Sequence, residues 1–143
     1  MTPTTEHAIT EFVNHWNDNG NRCKDGFLRL KEHCMRLPGI RLEWHARPGI
    51  TYSLRAAHTD QTERDLFAMV DIIDDDPQAR WLSVCFYDDL VNDPDEVGDQ
   101  VPEGLLGEDA ICFDVDEWDE QRLAYVEARL SEACAAAARG TQA

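Results

Sequence analysis

The chain has 143 residues, 43% of them hydrophobic, with four Trp and a net charge of −16. That length suits one domain, and the composition excludes wholesale disorder. The charge argues against direct binding to nucleic acid or to anionic membranes, whose phosphates an acidic surface repels.

The excess acid is segregated. Residues 81–121 hold fourteen Asp and Glu and no Lys or Arg, leaving fifteen acids against thirteen basic residues elsewhere. No apolar run approaches the ~18 residues of a spanning helix. The opening MTPTTEHAITEF lacks the basic and apolar regions of a secretory signal. The expectation is a cytoplasmic protein with no membrane contact.

In chain order, residues 5–16 read as a first helix, since Ala8, Ile9, Phe12, Val13 and Trp16 recur at helical steps. Asn17-Asp18-Asn19-Gly20-Asn21 stops it. A second helix spans 24–37, with Cys23, Phe27, Leu30, Cys34 and Leu37 on its buried side, and Pro38-Gly39 ends it. Residues 40–46 and 50–56 alternate as an amphipathic hairpin about Arg47-Pro48-Gly49. Its inward residues are Leu42, Trp44 and Ala46, then Ile50, Tyr52 and Leu54.

The apolar runs 66–73 and 81–87 flank DDDPQAR and predict a central strand pair covered on both faces. Residues 88–109 read as a long acidic loop, an unusual and often functional connection inside a compact domain, or else as one that contains a short helix. Residues 110–115 form a fifth strand. Asp116 is the expected N-cap of a final helix, with Leu123, Val126, Leu130, Ala133, Cys134 and Ala137 inward. That helix runs to about Arg139, capped by Gly140, and the tail 140–143 is expected to fray. The order predicts one α+β domain over 1–143: a mostly antiparallel sheet of about five strands, with N-terminal helices and a long C-terminal helix packed on one face.

Five cysteines have no C-x-x-C spacing and sit in apolar patterns, so core thiols are favoured over redox or metal roles. Residues 93–98 superficially match a calcium loop, with Asp93, Asp95 and Gly98 at its first, third and sixth places. Val97 and Gly104 stand where a ligand and the bidentate Glu belong, so the match fails. Carboxylates still attract hard cations, which makes Asp93, Asp95, Glu96, Asp99 and Asp109 the candidate ligands for a divalent cation. A solvated acidic loop is the simpler reading. No other cofactor is expected.

Asp71 is a lone acid in an apolar strand. It suits a buried general acid or base, or more simply a carboxylate that faces a cleft edge or pairs with an Arg such as Arg55 or Arg80. His45, Glu43 and Arg47 form a polar cluster on the hairpin's outer side, and Asp114 belongs to the polar side of its strand. Trp44, His45, Tyr52, Trp81 and Tyr87 are the candidate partner-binding residues, a platform if their strands align. No nucleophile elbow, phosphate loop or zinc spacing is present, so no catalytic residue is assigned.

The run LPGIRLEWHARPGITYSLRA, followed by DLFAMVDII and RWLSVCFY, resembles the YdhG-like small bacterial domains of unknown function. The resemblance is one of layout over residues 27–135: a helix, a compact antiparallel meander and a closing helix. Some relatives of that fold are frataxin-like, and Arg80-Trp81-Leu82-Ser83 is similar to a frataxin strand. Frataxins carry their acids on the first helix and strand, whereas here they follow Tyr87, so no iron-binding residue is carried over. The expectation is a non-enzymatic interaction or regulatory domain that meets a basic or apolar partner. The alternatives are a divalent-cation or iron-handling protein and a nucleic-acid mimic.

Overall fold

The structure, a computed structural model, describes residues 1–139; the Gly140 cap and the tail 140–143 lie outside the described residues. The first helix, α1 (Pro3–Asn14), starts where Thr2 accepts a hydrogen bond from the Thr5 N–H and Pro3 supplies a preset first turn. In the following loop the Asp18 carboxylate accepts the N–H groups of Gly20 and Arg22, and Asn21 accepts that of Cys23. These side chains compete with helical bonding and re-aim the chain into α2 (Cys23–Met35).

After α2 come β1 (Ile40–Arg47), β2 (Thr51–His58), β3 (Ala68–Ile73) and β4 (Trp81–Tyr87). The last elements are β5 (Asp99–Leu105), β6 (Glu108–Val115) and α3 (Glu120–Ala138). The turn into β1 needs Gly39: its φ is +69°, and the His58 imidazole fills the place a Cβ would take. All neighbouring strands are antiparallel, in the order β1-β2-β3-β4-β6-β5. The early meander is therefore as local as the short connections imply, and β6 inserts beside β4.

Alternation decides the two faces. Leu42, Leu54, Ala56, Val70, Ile72, Leu82, Val84, Phe86, Ile111 and Phe113 point to one side. There they join Ile9, Phe27, Leu30, Leu123, Val126 and Leu130 from the three helices in one core. Cys23, Cys34 and Cys134 are buried free thiols in this core. Burial, with Asp116 adding to it, pushes Cys23 up to about 12. Burial also pushes Cys34 up to about 12, so both stay protonated and inert.

Several expectations need correction. The sheet has six strands, because residues 99–105 of the acidic connection pair with β6. The two strands turn through Leu106 and Gly107 at φ 51° and 86°, the signature of a type I′ hairpin. The N-cap of α3 is Asp119, which accepts from the Arg122 N–H, and not Asp116. The chain is held until Trp118, whose N–H donates to the Asn21 carbonyl at 2.7 Å, so the helix starts later. Ile50 lies exposed in the β1–β2 turn instead of facing inward, and Ala46 is exposed too.

Cys85 and Cys112 are not thiols but a disulfide. They stand directly opposite each other on β4 and β6 with their Cα atoms 4.1 Å apart, an adjacency visible only once those strands pair. Disulfides are rare in reducing compartments, so this bond pulls against the expected cytoplasmic location. Among the described residues, no helix is long and apolar enough to cross a membrane.

Candidate functional site on the open sheet face

The odd-numbered residues of β1–β4 and the even-numbered ones of β6 face away from the helices. At one end this side is closed by a second, smaller core of Ala57, Leu66, Met69, Tyr87, Leu105 and Ala110. Arg64 clamps the 59–67 segment over it. Its guanidinium lies 4.0 Å from the Tyr87 ring centroid and binds Asp89 at 2.8 Å and Glu108 at 2.6 Å. These hydrogen bonds from Arg64 hold the Asp89 carboxyl below its usual range. So the central pair is covered on both faces only at this end.

Among the described residues, nothing covers the rest of the face. Strand register places His45, Ser53, Asp71, Ser83 and Asp114 in one row across five strands. The next row runs Glu43, Arg55, Met69, Cys85, Cys112 and Asp99. Ser53 Oγ, Asp71 Oδ1 and Arg55 Nε are buried without a hydrogen-bond partner among the described residues. Burial pushes the Asp71 carboxyl up, opposed by the Ser53 hydroxyl directly across the strand pair and by the Arg55 charge. Ser53 is close enough to favour the carboxylate but lies outside hydrogen-bonding geometry.

The expected partners of Asp71 are therefore corrected. Arg55 reaches it only through the field. Arg80 is held by Asp74 at 2.6 Å, because it turns to the helix side over the rings of Phe12, Trp16 and Tyr52. His45 bonds Glu43 at 3.3 Å and stands two strands from Asp71, too far to share a proton with it directly.

The face is bipolar. Towards β1 it carries Arg41, His45 and Arg55, around a depression of about 320 Å³. Towards β5 it carries Asp114 and Asp99. Burial, then the nearby Asp99, pushes the Asp114 carboxyl up despite the Arg122 guanidinium. Asp99 and Asp116 contribute to that rise after burial, and the negative potential they make attracts a basic side chain.

The five candidate partner-binding residues do not form one platform. Trp44 and Tyr52 share the helix face, stacked with ring centroids 5.9 Å apart and packed under Phe12. Tyr87 is buried beneath Arg64. His45 remains accessible on the open face, and Trp81 borders a hollow shared with Asp114 and Asp116. The division follows from alternation: positions 44 and 52 have the parity of the core.

The cation candidates do not converge either. Asp93 spends its carboxylate on the N–H groups of Val97 and Gly98 and on the Tyr125 hydroxyl. Burial pushes its pKa up, but the Tyr125, Gly98 and Val97 hydrogen bonds outweigh this and hold it below the usual range. Asp109 accepts the Glu103 N–H at 3.0 Å, while Asp95, Glu96 and Asp99 stand exposed. Among the described residues, no three His, Cys, Asp or Glu side chains group closely enough to hold a metal ion.

Arg41, Ser53 and Ser83 carry no motif that marks them in the sequence as site residues, and Arg55 is marked only as a partner for Asp71. Their signal was available: each has the outward parity of its strand. Compared with known proteins, the chain matches no family model, no curated protein and no solved structure.

Proposed function

We propose that the protein is a non-enzymatic interaction domain whose open sheet face and acidic β6–β5 side receive a protein partner bearing basic and apolar side chains. One observation carries this reading: three polar atoms, on Ser53, Asp71 and Arg55, lie buried and unpaired on a face that no helix covers. Each such atom costs about 1–3 kcal/mol, and a partner supplying hydrogen bonds to that face offsets the cost. Catalysis has no comparable support: the Ser53 hydroxyl acts on the Asp71 carboxyl, but its Oγ makes no well-formed hydrogen bond to a base among the described residues.

The test uses a synthetic peptide of alternating Lys and Leu, titrated by calorimetry at physiological salt. The double substitution Asp99→Asn with Asp114→Asn is expected to weaken binding about tenfold, the equivalent of ~1.4 kcal/mol. Glu11→Gln with Glu32→Gln removes the same charge from exposed helix positions and is expected to change it less than about twofold. Equal losses in the two variants would show attraction to net charge alone and end the proposal.

A further inference from the structure

Among the described residues, Arg41 and Arg55, like Arg36, Arg47 and Arg122, hold no carboxylate, but these two share one depression. Arg29, Arg64 and Arg80 each hold at least one carboxylate at 2.8 Å or closer. The guanidiniums of Arg41 and Arg55 have no ion pair among the described residues, and Arg55 Nε is buried without a hydrogen-bond partner there. Glu43 stands directly across from Arg55 in the register, yet its carboxylate turns to His45. Both arginines line the same depression of about 320 Å³, near the lower limit of small-molecule pockets.

The same depression is also lined by the apolar Ala57, Leu66 and Leu106. Leu106 is an odd choice there. It occupies the first turn position of the β5–β6 hairpin at φ 51°, a left-handed conformation that costs a branched side chain and that Asn or Gly would take readily. It is also 59% exposed, the most exposed large hydrophobic residue among those described. A residue unfavourable both for backbone and for solvation, leaning into a hollow with two unpaired guanidiniums, is the pattern of a binding wall.

We infer that this depression binds an organic monocarboxylate with a short apolar tail. The carboxylate meets the planar forks of Arg41 and Arg55, and the tail lies against Leu66 and Leu106. Glu43 and Asp65 also line the depression, and with the −16 charge of the chain they select against polyanions more strongly than against a single carboxylate. The inference rests on the reading of the open face as a binding surface, and it occupies the cationic end, away from Asp99 and Asp114.

Hexanoate and its neutral counterpart hexanamide are the probes, titrated by calorimetry into the intact protein. Hexanoate is expected to bind saturably and hexanamide not to bind at the same concentrations. Arg41→Gln and Arg55→Gln should each weaken hexanoate by about tenfold or more, the loss of a charged hydrogen bond. Arg41 is exposed, so its variant keeps the fold; circular dichroism checks Arg55→Gln. Leu106→Asn should weaken hexanoate severalfold while raising the melting temperature, two changes that a purely structural role would not combine. Absence of hexanoate binding at millimolar concentration, equal binding of the amide, or undiminished binding by Arg41→Gln overturns the inference. The Lys/Leu peptide should still bind Arg41→Gln, so a failure of this site is distinguishable from a failure of the whole face.

Discussion

Replacing Asp71 with Val is expected to make the protein more stable at neutral pH. Asp71 is mid-strand on β3, its Oδ1 buried and unpaired, and burial raises its pKa. An unsatisfied buried acceptor costs about 1–3 kcal/mol, and a β-branched side chain suits the strand position. For a chain of this size that corresponds to a rise in Tm of roughly 3–10 °C. The gain depends on pH with a definite sign. A carboxyl whose folded pKa lies above its unfolded one binds protons more tightly when folded. Its contribution is therefore fully present below the ordinary carboxylate range and is lost as pH climbs through the raised value. The advantage of Asp71→Val should thus be largest at neutral pH and shrink towards the ordinary carboxylate range. Urea denaturation across that pH range measures it, with the slope m unchanged between the two proteins. A variant less stable than the parent at pH 7, or a gap that does not narrow in acid, would refute the account of Asp71 as a costly, unpaired carboxylate.

Three further outcomes follow from the same packing. Leu106→Asn converts the β5–β6 turn to Asn-Gly and should stabilise the protein by about 1 kcal/mol in a thermal melt; a loss of stability would contradict the strain assigned to Leu106. Asp74→Ala removes the acceptor of the Gly49 N–H at 2.8 Å and strands the largely buried Arg80, so it should cost about 3–5 kcal/mol in urea. A cost under about 1 kcal/mol would show that Arg80 finds another partner. Reducing Cys85–Cys112, which are 27 residues apart in sequence, should lower stability by up to about 3–4 kcal/mol on chain entropy; coincident urea curves with and without dithiothreitol would count against the bond.

The parts of the fold legible in the sequence are those written in local periodicity. The stripe Cys23, Phe27, Leu30 and Cys34 of α2 and the stripe Leu123 to Ala137 of α3 are buried as their spacing implies. Pro48-Gly49 marks the first hairpin. β5 was hidden because DQVPEGL carries no apolar alternation. Its pairing comes from β6, and as an edge strand it tolerates Pro102 and a bulge between Val101 and Leu105. The Leu-Gly turn also lacks the usual Asn-Gly signal. The site was half legible. Asp71 stands out as an acid among apolar neighbours, but its surroundings depend on which strands lie side by side. No local pattern places Ser53 opposite it or Cys85 opposite Cys112.

The central claim, that the open sheet face is where the protein binds, is tested most directly by mapping backbone amide shifts during titration with the Lys/Leu peptide. The account predicts saturable shifts along the row Ser53, Asp71, Ser83 and Asp114 and at Asp99, with the outward residues of α2, such as Leu28 and Glu32, unmoved. Shifts concentrated on the helix layer, or spread evenly over every acidic residue, would contradict it.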